Sequence, residues 1–420
     1  MPGALVGPVT LFFLQPLTEI EDWRSDLGKR HNLIDILMIV LCAVLCGADD
    51  CEEISDFGQA NETWFRTFLE LAHGIPSHDT FLRFFANVNP DQFRRAFIRW
   101  VESFRPSVKG KQIAVDGKTL RRSFDRSKDK LAIHMVSAWF HEAGIVLGQV
   151  KTSEKSNEIT AVPELLNMID INGATVTGDA MNCQREITKV IDDRGGDYVI
   201  QVKDNQPTMR EEIEGYFASE AGTSLPKNER TYLHLVDKDH GRLEERTYWH
   251  SNDIGWFADL KRWKGLTGFG MMQSNRTTLA DGKTTSESHY YITSFDDVDV
   301  KRFAANARGQ WTIETQLHWR LDVVFDEDRS RLRKDHAAEN FAVVRHIALN
   351  LLKRVEAKKK SIKIRRKRCG WDREFLLQVI GLGRAKPAGK KNQRVKRESE
   401  TACAQRGRRV LCHAHAGQAR

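Results

Sequence analysis

Hydrophobic positions along this chain follow a helical period, then a strand period, then a helical one again, and the changes divide it. From about residue 18 to 105 the period is helical. Leu33 to Leu45 is apolar nearly all round, which predicts the central helix of a small bundle. Trp64, Phe65, Phe68 and Leu69 recur at helical spacing, as do Phe93, Phe97, Trp100, Val101 and Phe104 after Pro90. Between them lies GIPSHDTFLRFFANV (Gly74–Val88), in which Ser77 or Asp79 is the expected N-cap. Helix, short turn and helix admit two readings. One is a helix-turn-helix DNA reader using Arg83, Arg94, Arg95 and Arg99; the other is a plain helical bundle.

Beyond Lys111 the period shortens. Strand-like runs occupy Gln112–Asp116, Ala132–Phe140 and Ile145–Val150. A helix around Thr160–Met168, opened by Ser156 and Asn157, leads to a strand at Ala174–Thr177. A helix at Gln184–Asp192 and a strand at Tyr198–Val202 follow. Three hairpin-like strands and then alternation predict an α/β fold, a mixed sheet with helices packed on it. Residues 228–295 interrupt the alternation with β-rich runs at Thr231–Val236, Glu244–His250, Leu266–Gln273 and Glu287–Thr293, read as a β insertion. From Val298 to Leu352 the pattern is helical, and after Lys353 it dissolves. The expected organisation is a disordered lead-in over 1–17, a small all-helical domain over 18–105, an α/β domain over 106–352 and a tail over 353–420.

Charge sharpens this division. The net charge of +8 conceals an asymmetry: residues 353–420 hold 22 Lys and Arg against 5 Asp and Glu, leaving 43 against 52 in residues 1–352. A mildly acidic body with a strongly basic tail points to nucleic acid as the tail's partner; a solvated tail that only maintains solubility is the plainer reading. The seven cysteines are scattered and odd in number, which suits a reducing cytosol. LFFL at Leu11–Leu14 lacks the flanks of a signal peptide, and residues 33–47 are too short to span a bilayer and contain Asp35. No membrane segment and no export are expected.

The chemistry gathers around KQIAVDGKTLRRSFD, residues 111–125. An apolar strand ends in Asp116, where open α/β sheets place their ligands, and Lys118, Arg121 and Arg122 stand just beyond as candidate phosphate contacts. Asp179 repeats the placement after ATVTG. The third candidate is Glu314, read as lying on an apolar helix stripe of Phe303, Ala307, Trp311, Leu317 and Leu321. A charge buried there needs a cation or a salt bridge, for which Arg308 and Arg320 are available. Three carboxylates suit Mg²⁺, or Mn²⁺ in its place, and metal-assisted phosphodiester chemistry on DNA. The sequence shows no Cys/His cluster of zinc type outside the weak Cys403, Cys412, His413 and His415 set. It also lacks a Walker loop and a dinucleotide fingerprint.

Seven blocks, in order, then resemble one family: IAVDGKTLRRSF, EKSNEITAVPELL, VTGDAMNCQREI, YVIQVKDNQP, HGRLEERTYW, QWTIETQLHWRLDVVFDEDRSRLR and AENFAVVRHIALNLLK. The family is the bacterial insertion-sequence transposases of the H-repeat-associated type, and GIPSHDTFLRFF is similar to their associated helical domain. The resemblance covers roughly residues 18–380. It implies a DDE-type transposase with a ribonuclease H-like core, broken by a β insertion before the last catalytic helix. Carried over, the acidic trio is Asp116, Asp179 and Glu314, serving both catalysis and metal binding. Lys203, with Asn205, and His240 and Arg242 become DNA-contact candidates. Gln310 stands where many relatives have Arg, and no Lys lies within Gln316–Phe325, so Arg320 is left to serve near the strand.

The implied substrates are the terminal inverted repeats of the chain's own element and the target DNA, joined by a homodimer. The implied location is the cytoplasm and nucleoid. The alternative is a catalytically silent DNA-binding relic, since the segment from about Gly383 matches no family block; a metal-dependent nuclease that does not transpose is a third reading.

Overall fold

The computed structural model describes residues 15–25, 29–124, 131–152, 158–228, 230–239, 241–355 and 360–382. Its N-terminal helices are α1 (Leu33–Cys46), α2 (Cys51–Ala60), α3 (Glu62–Phe65), α4 (His78–Asn87) and α5 (Pro90–Glu102). Asn32 caps α1 by accepting the Ile34 amide at 2.9 Å, and nearly every α1 side chain is buried. Asp35, buried with them, accepts the Leu71 amide at 3.0 Å. No described helix is long and apolar enough to cross a membrane.

The sheet begins with β1 (Gln112–Thr119), β2 (His134–Phe140) and β3 (Ile145–Thr152), followed by α6 (Glu158–Met168), β4 (Thr175–Gly178), α7 (Arg185–Asp193) and β5 (Asp197–Val202). Then come α8 (Pro207–Ala218), α9 (Glu220–Thr223), β6 (Tyr232–Asp239), β7 (Arg242–Ser251), β8 (Gly268–Thr278) and β9 (Thr284–Thr293). The last helices are α10 (Val300–Gly309), α11 (Trp311–Ile313), a π turn at Glu314–His318, α12 (Trp319–Phe325), α13 (Ala337–Arg354), α14 (Ile362–Trp371) and α15 (Arg373–Val379).

All nine strands form one sheet in the order β3-β2-β1-β4-β5-β9-β8-β7-β6. β1 is antiparallel to β2 and parallel to β4, and β5 lies parallel to β4 but antiparallel to β9. A mixed sheet with helices is therefore the architecture. The β-rich run over 228–295 is not a separate β unit: through β9 it lengthens the sheet that carries Asp116.

The helical segment over 18–105 shares one hydrophobic core with the sheet. Helix α13, buried along almost its whole length, is the wedge between them. Asn340 donates to the Phe85 and Val88 carbonyls at 2.9 and 3.0 Å, and Asn350 brackets both backbone groups of Val146 at 2.9 Å. The basic segment after Lys353 is also partly folded. Within α14 and α15, Ile362, Cys369, Phe375 and Leu376 are buried, and Arg366 donates to the Val44 and Ala48 carbonyls of the first helical layer. Residues 383–420, with the Cys403–His415 set, lie outside the described residues.

Helix α5 is packed into the body through one face. Its apolar face is buried, Arg94 pairs with Asp91 and Glu164, and Arg99 with Glu19. The packing is that of a helical bundle on a sheet.

Candidate active site

Asp116 and Asp179 meet because β1 and β4 are parallel neighbours. The ladder pairs Gln112 with Thr175 and Ala114 with Thr177 and goes no further. Each aspartate stands two residues past that last pair, so continuing the register sets the carboxylates side by side. β1 itself runs on to Thr119 against β2. Asp116 thus ends the ladder only on the β4 side, not the strand as a whole.

Glu314 is brought in by a brace. Gln310 donates its side-chain amide to the Val115 carbonyl at 3.0 Å and accepts from the Thr177 hydroxyl at 2.5 Å. Gln112 joins the same group, donating to Thr177 Oγ1 and the Asn306 carbonyl, both at 2.8 Å. Gly309 makes this approach possible, since a Cβ there would lie 1.9 Å from Gln112 Oε1. Gln310 thus ties the helix carrying Glu314 to the two strands carrying the aspartates.

The three carboxylates line one cleft of about 450 Å³, together with Lys203, Arg246, Arg276, Arg308 and Trp311. Burial pushes the Asp116 carboxyl up to about 8, and the charges of Asp179, Glu158 and Glu314 add to the shift. All-oxygen donors that repel one another suit a hard divalent cation, which would offset both effects. Among the described residues, no three His, Cys, Asp or Glu side chains are already closed into a metal-holding cluster. The donor chemistry fits; the ligand geometry is open.

Asp179 accepts from Asn182 Nδ2 at 2.9 Å, which fixes it at the start of a short turn. Around Asp116 stand groups that the sequence did not announce. His318 Nδ1 lies 3.4 Å from Asp116 Oδ2, and its Nε2 is buried without a partner among the described residues. Burial, and then the Lys118 charge, hold that imidazole down to about 4, so it is neutral. Behind Asp116, His134 and Glu158 form a buried pair, with Thr119 Oγ1 2.9 Å from the other imidazole nitrogen. A Cβ on Gly117 would fall 2.1 Å from His134 Nε2 and 2.3 Å from Glu158 Oε1, so only glycine fits. The glycine after Asp116 was the readable signal for a close neighbour; the neighbour's identity needed the fold.

Several expected contacts fall elsewhere. Lys118 is turned inward, 11% exposed, and is paired with Asp322 at 2.7 Å, Asp328 at 3.1 Å and Glu327 at 3.2 Å. Burial works against its charge, yet Glu327 and Asp322 hold it above the usual lysine range. It is a structural cation, held by the acidic residues Asp322, Glu327 and Asp328 that follow the Glu314 turn. Arg121 is exposed and reaches Asp328 at 3.1 Å; Arg122 is exposed as well. Lys203 is exposed in the cleft. Arg242 sits exposed at the β6–β7 turn; Arg246, further along β7, lines the cleft instead. His240 lies outside the described residues. Arg320 does not line the cleft and stands near Arg365.

The apolar stripe also shifts. Ile313, Leu317 and Leu321 are buried, whereas Trp311 is 57% exposed and Glu314 faces solvent. Glu314 is therefore neither a buried charge nor a member of a salt bridge among the described residues. The π turn changes the phase of the helix at that point, which a constant period could not anticipate.

A mixed sheet that delivers strand-end carboxylates to a cation-lined cleft is suited to acting on a polyanion. Residues 108–351 match the transposase DDE domain, and residues 14–101 match the helical unit associated with it. The chain belongs to the DDE transposase family, enzymes that cleave DNA and transfer its strands. It is 38% identical over 370 residues to an H repeat-associated protein of Escherichia coli (strain K12), YhhI, which bears a transposase name; the match covers 87% of this chain and 97% of that one. It is 39% identical over 373 residues to YncI of Escherichia coli O157:H7, also named as a transposase, covering 87% and 94%. Transposases with this domain generally use divalent metal ions.

Proposed function

We propose that Asp116, Asp179 and Glu314 hold the divalent metal of this transposase, within a ribonuclease H-like core formed by β3-β2-β1-β4-β5. The observation that carries the reading is the shared register of β1 and β4, which sets two aspartates side by side beneath a glutamate-bearing helix. Bound Mg²⁺ or Mn²⁺ would activate the attacking oxygen and stabilise the leaving one. The chain's own contribution is positioning and charge neutralisation. Lys203 and Arg308, exposed in the cleft and in no ion pair among the described residues, suit the scissile strand's phosphates. Arg246 and Arg276, which share Glu244, line the wall supplied by the inserted strands. Arg121 and Arg122 reach outward for the flanking duplex.

The substrates on this reading are the terminal inverted repeats of the chain's own element and its target DNA. Water is the nucleophile for cleavage and a freed 3′-hydroxyl for strand transfer, with two copies acting together in the bacterial cytoplasm on the nucleoid. The test is Mg²⁺-dependent cleavage of duplexes carrying the repeats that flank the coding region. Asp116→Ala should lose cleavage and keep DNA binding. Normal cleavage by this variant would overturn the assignment, and a wild-type chain that binds but never cuts would mark a relic.

A further inference from the structure

The sheet carries one row of side chains across the floor of the cleft. Ala114 pairs with Thr177 and Gly178 with Ile200, so continuing both ladders sets Asp116, Asp179 and Gln201 side by side. β1 and β4 place carboxylates in that row, and β5 places an uncharged amide there. Gln201 pairs in turn with Tyr291 on β9, and His289 stands two residues before Tyr291, on the same face. Gln201, His289 and Tyr291 all line the cleft with the two aspartates.

Gln201 and His289 are joined. Gln201 Nε2 lies 2.9 Å from His289 Nδ1. An amide nitrogen only donates, so Nδ1 accepts and the imidazole carries its proton on Nε2. Burial lowers the imidazole, Glu287 opposes this and Lys203 adds to it, in keeping with a neutral ring. Glu287, its side chain 72% exposed, stays 3.7 Å from Nε2, beyond hydrogen-bond reach. Among the described residues, no hydrogen bond engages Gln201 Oε1. The pair thus sets one donor, His289 Nε2–H, beside one acceptor, Gln201 Oε1, and carries no charge.

Phosphates call for the cations of this cleft, Lys203, Arg246, Arg276 and Arg308. A neutral donor–acceptor pair suits a base edge instead. In the major groove adenine presents an acceptor at N7 next to a donor at N6, whereas guanine presents two acceptors there. Adjacent strands lie about 4.8 Å apart, so the pair stands roughly one to two strand spacings from Asp179. That is a reach of roughly one to three base steps of about 3.4 Å.

We infer that Gln201 and His289 read an adenine beside the scissile phosphate, His289 donating to N7 and Gln201 accepting from the N6 amine. The inference rests on the DNA-cleaving reading above and adds base selection at the cut itself. Guanine at that position leaves the Gln201 oxygen facing another acceptor.

The experiment uses the full chain and duplexes carrying the repeats that flank the coding region. Each adenine within about three base pairs of the cut is replaced in turn by 7-deazaadenine, which lacks the N7 acceptor. Mg²⁺-dependent cleavage by the wild type should fall roughly five- to fifty-fold at one such position. In His289→Phe that penalty should shrink to about two-fold or less. Purine without the 6-amino group should penalise the wild type at the same position and leave Gln201→Leu unaffected. Each penalty is a ratio measured within one protein, so a general loss of stability does not mimic it, and the wild-type scan depends on neither variant folding. Lys203→Met, a phosphate contact on this reading, should cut every duplex less and keep the ratio. A wild type that cuts with no responding adenine, or a penalty that persists in His289→Phe, overturns this inference and leaves the proposed function standing. A wild-type chain that neither binds nor cuts the repeats overturns the proposed function itself, and this inference with it.

Discussion

The side-chain amide of Gln310 donates to the carbonyl of Val115 at 3.0 Å, one residue before Asp116, while its oxygen accepts from Thr177, two residues before Asp179. One glutamine thus registers the Glu314 helix against both aspartate strands. Gln310→Ala takes the donor from the Val115 carbonyl and the acceptor from the Thr177 hydroxyl in a part-buried place, at a cost of about 1–3 kcal/mol. Cleavage should fall further than that stability loss explains, because the helix loses its reference to the sheet. Urea unfolding measured beside Mg²⁺-dependent cleavage separates the two effects. Gly309→Ala should be worse, since its methyl group would overlap Gln112.

Lys118 is expected to act on stability, not on DNA. Lys118→Met removes the cation from Asp322, Glu327 and Asp328, and breaking a buried pair of this kind costs about 3–5 kcal/mol. Arg121→Ala, with its side chain 77% exposed, should change stability by about 0.5 kcal/mol or less. Equal, small shifts in the denaturation midpoints of the two variants would contradict the inward placement of Lys118.

Divalent metal should stabilise the fold. Burial and neighbouring carboxylates push Asp116 up to about 8, and a bound cation offsets that repulsion. At ten times its Kd, Mg²⁺ adds about 1.4 kcal/mol by mass action, or roughly 2–4 °C in Tm. Asp116→Asn should melt at or above the metal-free wild type and show no Mg²⁺ response. A Tm rise with metal that survives in Asp116→Asn would place the ion elsewhere.

Acid should weaken the sheet through His250. Its Nδ1 accepts the Asp299 amide at 3.1 Å and its Nε2 lies 2.9 Å from Thr293 Oγ1, so the folded imidazole is neutral. Burial, aided by Arg302 and opposed by Asp299, holds it down to about 4 against about 6.5 when unfolded. Between those values the unfolded chain carries the extra proton. Stability is therefore full above pH 6.5, falls as pH drops towards 4, and levels off below, a loss of about 3 kcal/mol from this group. His250→Asn should be less stable at neutral pH and show a shallower acid slope over that window.

Much of the α/β unit was legible in order along the chain, because periods of two and of three to four residues report which side of an element is dry. Runs such as IAV and ATVT announced buried strands, and Asp116 and Asp179 stood at matching places after them. Glu314 was reached by a different route. Its assumed burial does not hold, since Glu314 faces solvent at the start of the π turn, and it was the surrounding motif that singled it out. Lys118 looked like its neighbours Arg121 and Arg122, yet strand alternation and a distant acidic loop turn it inward.

By itself, then, the sequence determined the kinds of element, the strand-end carboxylates and the family. These are local properties, written in spacing and residue type. Only the tertiary structure decided that β1 and β4 are parallel neighbours in register, that the β-rich insertion extends the same sheet, and that α14 and α15 fold back onto the first helical layer. It also decided which charges are satisfied, taking Lys118 out of solvent and pairing it with Asp322, Glu327 and Asp328. A charge's role depends on what stands within a few ångströms of it, and for Lys118 one such neighbour, Asp328, comes from 210 residues away.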